Sequence, residues 1–129
     1  MIVGGMADLR HLDPLARRPD DSGASAIDRD HLRRMTLDDP TLEREVLVLF
    51  ERQAVSLTAS MRGLDAADLA ACAHKLKGSA CGVGAFAVAR AAEAVELATT
   101  AQERTSALAK LSAAVADAKS LVGEILRAH

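Results

Sequence analysis

The chain has 129 residues and a formal net charge of −2, and half of its residues are hydrophobic although only two are aromatic. This length fits one domain, and the abundance of alanine with few aromatic residues favours packed helices over an all-β fold. The net charge and the lack of stacking side chains argue against nucleic-acid binding, and no apolar run is long enough to span a membrane.

A flexible leader is predicted at the N-terminus, followed by a short helix. Residues 1–25 combine glycine, proline and mixed charges without a sustained hydrophobic period, which is typical of a segment outside a folded core. A helix over 27–36 would then place Ile27, Leu32 and Met35 on one apolar side.

A long helix is predicted over 40–62. Asp39 is a favourable N-cap, Pro40 occupies the first helical position, and Gly63 ends the pattern. Mostly apolar side chains recur at steps of three and four residues, which predicts one buried face. That face comprises Leu42, Val46, Leu49, Phe50, Gln53, Leu57 and Met61.

Three further helices complete the predicted fold. Asp65 can cap the third helix, Gly84 can end it, a fourth helix covers about 85–98, and Thr100 begins a capping box for the last helix. Four long amphipathic helices joined by short loops predict an all-α, antiparallel up-down four-helix bundle over 26–129. The short helix would lie at one end of this bundle.

The two cysteines, Cys72 and Cys81, are predicted to be reduced. If both lie on the third helix, nine residues separate them by about 13 Å, which is too far for a disulfide. The chain also lacks zinc-binding cysteine and histidine spacing, and it lacks the pattern of a secretory signal peptide. We therefore expect a cytoplasmic protein that binds no metal of its own.

The most informative stretch is 73–80, which reads AHKLKGSA and has one histidine within the helical pattern. The third helix has an apolar stripe made of Leu69, Ala73, Leu76, Ala80 and Val83. His74 lies about 140° from Leu69 around that helix, so its ring is predicted to face away from the core. Its neighbours at three and four residues are three small residues and one lysine: Ala70, Ala71, Gly78 and Lys77.

An exposed imidazole among small side chains suits a phosphoryl group. Neutral imidazole is a nucleophile near pH 7, and Lys77 can offset the charge of phosphoryl oxygens. Gly78 costs the helix about 1 kcal/mol relative to alanine, which indicates that a partner surface must come close to this turn. The glycines do not form an ATP-binding loop, so no autokinase activity is expected.

The residues 73–80, continuing through 81–85 and 94–96, resemble the histidine phosphotransfer (HPt) domain of bacterial multistep phosphorelays. The resemblance is close over the third and fourth helices, and the bundle layout extends it over about 26–129. It implies that His74 accepts a phosphoryl group from a receiver-domain aspartate of a hybrid histidine kinase and passes it to a response regulator. The protein would be a carrier rather than an enzyme.

The resemblance also implies roles for the surrounding residues. Lys77 would help to stabilise the phosphoryl group, Lys75 would add to the local field, and Gly78 would leave room for the receiver. Glu96 lies where the family often has a glutamine that hydrogen-bonds the histidine ring, so it would either orient the ring or repel the phosphoryl group. Mg²⁺ would be supplied by the acidic pocket of the receiver rather than by this chain.

Receiver docking in this family uses apolar residues on neighbouring helices, and here the candidates are Leu32, Met35 and Phe86, with Ala70 and Ala71 clearing the surface around the ring. We expect a monomer. Two other classes of function remain open from the residues alone. One is a helical adaptor or dimerisation module that binds receivers without phosphotransfer. The other is an enzyme with His74 as general base, although no second catalytic group is placed by spacing.

Overall fold

The computed structural model describes residues 25–128, and within them the chain forms five α-helices and no strand. The helices are α1 (Arg29–Met35), α2 (Pro40–Ser60), α3 (Ala66–Val83), α4 (Phe86–Leu97) and α5 (Ala101–Ala128). The all-α prediction is confirmed. The predicted leader lies outside the described residues except for Ser25. No helix in the described part of the chain is long and apolar enough to cross a membrane.

Side-chain caps mark where four of the five helices begin, the exception being α4, which follows Ala85 without a side-chain cap. The side-chain oxygens of Asp28, Asp39, Asp65 and Thr100 each accept hydrogen bonds from first-turn backbone N–H groups, at 2.8 to 3.3 Å. Such a cap satisfies an N–H that has no partner within the helix, and it stabilises the helix by about 1 kcal/mol. The caps predicted at Asp39, Asp65 and Thr100 are confirmed.

The four long helices pack around one core. α3 contacts α2 and α4, and α5 contacts α4 and α2, so each long helix has two long neighbours. Every long helix contributes side chains that are at most 1% exposed, namely Leu47, Leu76, Val88, Leu111 and Val122. The core consists largely of alanine and branched aliphatic residues, which let the helices approach closely.

The predicted buried face of α2 is wrong at several positions. Leu49 is 63% exposed and Leu42 is 36% exposed, whereas Leu47, outside the predicted face, is completely buried. Phe50 and Met61 are buried as predicted. The buried face lies about 70° around the helix from the predicted one. Because α2 carries apolar side chains over a wide arc, its contacts with α3 and α5 decide which of them are covered.

The short helix α1 is anchored at the turn between α3 and α4. Gly84 ends α3 with a left-handed backbone (φ +83°), as glycine allows, and its carbonyl accepts a 2.9 Å hydrogen bond from the N–H of Asp28. A Cβ at Gly84 would lie only 2.9 Å from the carbonyl oxygen of Asp28. His31 of α1 packs edge-on against the ring of Phe86 at 5.2 Å between centroids. The turn therefore both ends α3 and holds α1.

Candidate functional site

The ring of His74 projects from the middle of α3 into solvent. Its side chain is 68% exposed, whereas Ala73 and Leu76 on either side of it along the chain are completely buried. The apolar stripe of α3 packs inward and leaves the histidine on the opposite side of the helix. The predicted outward orientation of His74 is confirmed.

The carboxylate of Glu96 on α4 contacts that ring. Its Oε2 atom lies 2.9 Å from Nδ1 of His74, and the Glu96 side chain is only 26% exposed. An ionised carboxylate can only accept a hydrogen bond, so Nδ1 carries the proton and donates it. In the neutral ring the other nitrogen, Nε2, then has a free lone pair. The contact therefore favours the tautomer that leaves the lone pair of Nε2 free on the exposed ring.

A second pair of side chains lies one helical turn further along α3. Nζ of Lys77 donates to Oε2 of Glu93 on α4 at 3.1 Å, and both side chains are partly exposed. The hydrogen bond to Glu93 raises the pKa of Lys77 above its ordinary value, and the nearby charge of Glu96 acts in the same direction. Lys77 is therefore a cation at neutral pH.

The two pairs show that α3 and α4 run antiparallel at the site. Moving three residues forward on α3, from His74 to Lys77, corresponds to moving three residues back on α4, from Glu96 to Glu93. Residues three apart lie on the same side of a helix, so each helix presents its two groups to the other. The site thus consists of two side-chain pairs, and in each pair a group on α3 contacts a carboxylate on α4.

The α3 residues one turn from His74 on either side include several with small side chains, which do not project beyond the ring. Gly78 is exposed, and a Cβ at this position would have no atom within 4 Å apart from its chain neighbours and the backbone of its own helix. Its backbone is ordinary right-handed helix, so the fold itself does not require glycine there. Ala71 is exposed and Ala70 is half-buried, and Lys75 is an exposed cation next to the histidine in the chain. Small side chains surround the ring on α3, as the spacing predicts.

Two of the predicted docking residues are unavailable to a partner. Leu32 is completely buried and Phe86 is 3% exposed, because α1 packs against the bundle and the two side chains form part of that packing. The interpretation of these two as docking residues is therefore corrected. Met35 is 57% exposed and stays a candidate, and Leu97, which follows Glu96 on α4, is an exposed apolar side chain (67%) that the sequence reasoning missed.

Glu93 was also missed by the sequence reasoning. A signal for it exists in the sequence, since Glu93 and Glu96 are spaced by three residues and share one side of α4. That spacing alone does not say which residues of α3 they meet. The pairing with Lys77 requires the relative register of the two helices.

The two cysteines are free thiols, half-buried on α3. Burial raises the pKa of Cys72, an effect that the nearby charge of Lys75 partly counters. Within residues 25–128, no group of three or more histidine, cysteine, aspartate or glutamate side chains is arranged to hold a metal ion. A surface cleft of about 680 Å³ between α1, α4 and α5 is lined by residues such as Arg90 and Lys110 but not by His74.

An exposed histidine on a helical bundle, hydrogen-bonded through Nδ1 and flanked by a lysine and a glycine, is an arrangement typical of phosphoryl carriers. The family model described as Hpt domain matches residues 41–127, about two thirds of the chain. The chain belongs to the Hpt domain family, whose members transfer phosphoryl groups through histidine in phosphorelays and interact with receiver domains. No curated protein and no solved structure gives a significant match.

Proposed function

We propose that this protein accepts a phosphoryl group on Nε2 of His74 from the aspartyl phosphate of one receiver domain and passes it to an aspartate of another. The 2.9 Å contact between Nδ1 and Glu96 carries the proposal, because it leaves Nε2 unprotonated on an exposed ring. The donor would be the receiver of a hybrid histidine kinase, and the acceptor a response regulator.

The transfer needs no proton movement at His74. The lone pair of Nε2 forms the bond to phosphorus while the bond from phosphorus to the aspartyl oxygen breaks, and the carboxylate leaves with its electron pair. The ring is then positively charged with its proton still on Nδ1, and the carboxylate of Glu96 offsets that charge. In onward transfer an aspartate oxygen attacks phosphorus and the electron pair of the N–P bond returns to Nε2.

The flanking residues would act on the phosphoryl oxygens and on access to them. Lys77 is a cation one turn from His74, and Lys75 adds a second positive charge nearby. Gly78 leaves space for the receiver over that turn. Mg²⁺ would be held by the acidic pocket of the receiver, where it would offset charge on the transferring group. The protein would therefore bind no cofactor and have no autokinase activity.

The docking surface would include the α3 surface around His74, where the neighbouring side chains are small, and exposed apolar side chains of α1 and α4. Ala70, Ala71 and Met35 belong to this proposed surface, and Leu97 extends it on α4. We further propose that the four long helices run up and down around the core as a monomeric bundle. The antiparallel pairing of α3 with α4 supports this arrangement. The proposed place of action is the cytoplasm.

The test is phosphoryl transfer from purified, radiolabelled receiver domains of the same organism in the presence of Mg²⁺. The wild-type protein should acquire a label that is labile in acid and stable in base, and His74→Gln should acquire none while keeping its melting temperature. If no receiver labels the wild-type protein but receivers still bind it, the adaptor function replaces this proposal. A label retained by His74→Gln would mean that the acceptor is another residue.

A further inference from the structure

The long side chain of Lys77 is held by a contact that the proposed chemistry does not itself require. A lysine on a helix surface has four rotatable side-chain bonds and loses much conformational freedom when its ammonium group is localised. Here Nζ lies 3.1 Å from Oε2 of Glu93, and only 27% of the Lys77 side chain is exposed. The contact localises the ammonium group in the groove between α3 and α4.

The backbone of α4 gives Glu93 a rigid support. Glu93 directly follows Ala92, which is completely buried, and it lies two residues before Val95, which is 2% exposed. α4 therefore cannot rotate without exposing its core face. The same rigid helix carries Glu96, so one element positions both the histidine ring and the lysine of α3.

The pairing leaves Lys77 able to bind a second anion. An ammonium group has three N–H donors and Glu93 Oε2 accepts one, so two remain for phosphoryl oxygens. A phosphoryl group on Nε2 of His74 brings about two negative charges, more than the single charge on Glu93. Lys77 therefore keeps N–H donors for phosphoryl oxygens while it stays attached to Glu93.

We propose that Glu93 is a positioning residue that orders Lys77 for the transferring phosphoryl group; this rests on the proposed function of His74. Glu93 does not touch the reacting atoms. Its carboxylate confines the ammonium group to the groove one turn from the ring before the receiver docks. The side chain of Lys77 then loses its conformational entropy when the protein folds, so this loss does not add to the barrier for phosphoryl transfer.

A double-mutant cycle in single-turnover transfer tests this, with wild type, Glu93→Gln, Lys77→Ala and the double variant. Glu93→Gln keeps the size of the side chain but removes its charge, so the bond that holds the Lys77 ammonium group loses its ionic component and becomes about half as strong. We expect it to slow transfer by about three- to tenfold in the wild-type background. In the Lys77→Ala background the same substitution should have no further effect, because there is no lysine left to order. Glu124→Gln, the same charge change on an exposed residue of α5, is the matched control and should leave the rate unchanged.

Melting temperatures of the same four proteins separate positioning from stability. A merely structural role would change the melting temperature without a rate effect that depends on Lys77. The proposal is overturned if Glu93→Gln transfers at the wild-type rate, or if it slows transfer equally with and without Lys77. If wild type takes no label from any receiver, the proposed function fails and this inference fails with it. Normal transfer by both wild type and Glu93→Gln removes this inference alone.

Discussion

Gly78→Ala should make the protein more stable and a poorer phosphoryl carrier. Gly78 lies inside α3 with a right-handed helical backbone, and a Cβ there would meet no atom within 4 Å apart from its chain neighbours and the backbone of α3 itself. Alanine is favoured over glycine in a helix interior by about 1 kcal/mol. For a domain of this size that gain corresponds to a rise in melting temperature of about 4–5 °C.

The same methyl group should obstruct the receiver. Gly78 follows His74 by one turn, about 6 Å along the helix axis, so an added side chain projects beside the ring. Filling space in a closely packed contact costs about 1–3 kcal/mol, which corresponds to a loss of about five- to 150-fold in transfer rate. Gly78→Gln, with a longer side chain, should lose more transfer while remaining at least as stable as wild type.

Gly82→Ala is the matched control. Gly82 also lies in α3 and also has no atom within 4 Å of a built Cβ, but it lies about 12 Å along the axis from His74. It should gain similar stability and transfer at the wild-type rate. Thermal unfolding and single-turnover transfer from a labelled receiver measure both effects. Wild-type transfer by both Gly78→Ala and Gly78→Gln would refute the role of Gly78 in clearance, and a lower melting temperature of Gly78→Ala would refute the helix argument.

Three further predictions concern the His74–Glu96 pair, the Lys77–Glu93 pair and the turn at Gly84. Glu96→Gln keeps a hydrogen-bond acceptor for Nδ1 of His74 and should transfer at a rate near wild type. Glu96→Ala removes that acceptor and should lose about tenfold or more in single-turnover transfer. Equal transfer rates for the two variants would contradict orientation of the ring by Glu96. Because its contact with Glu93 raises the pKa of Lys77 above 10.5, the stabilisation from this pair is present below that pH. It should be lost as pH rises through the raised pKa, so the stability difference between wild type and Lys77→Ala, measured by denaturant unfolding, should shrink in strongly alkaline buffer. Gly84→Ala should destabilise the protein by more than about 1 kcal/mol, because φ at this position is +83° and the new Cβ would lie 2.9 Å from the carbonyl oxygen of Asp28. An unchanged melting temperature would contradict this prediction.

The helix caps and the orientation of α3 follow from the sequence alone. Asp39, Asp65 and Thr100 bind backbone N–H groups only two or three residues away, so a local pattern is sufficient to predict them. The exposure of His74 likewise depends on the periodicity of a single helix whose apolar stripe is narrow. The resemblance at 73–80 then identifies the family, which the match over 41–127 confirms.

Other features were decided by the tertiary structure because they depend on how separate helices meet. α2 has apolar side chains over a wide arc, and its neighbours cover Leu47 while leaving Leu49 in solvent. The packing of α1 buries Leu32, which local periodicity cannot distinguish from a docking residue. The contact between Lys77 and Glu93 joins residues sixteen positions apart and exists only because α3 and α4 pack antiparallel in one register. Local spacing determines which way a side chain leaves its own helix, and the packing of helices determines what it meets there.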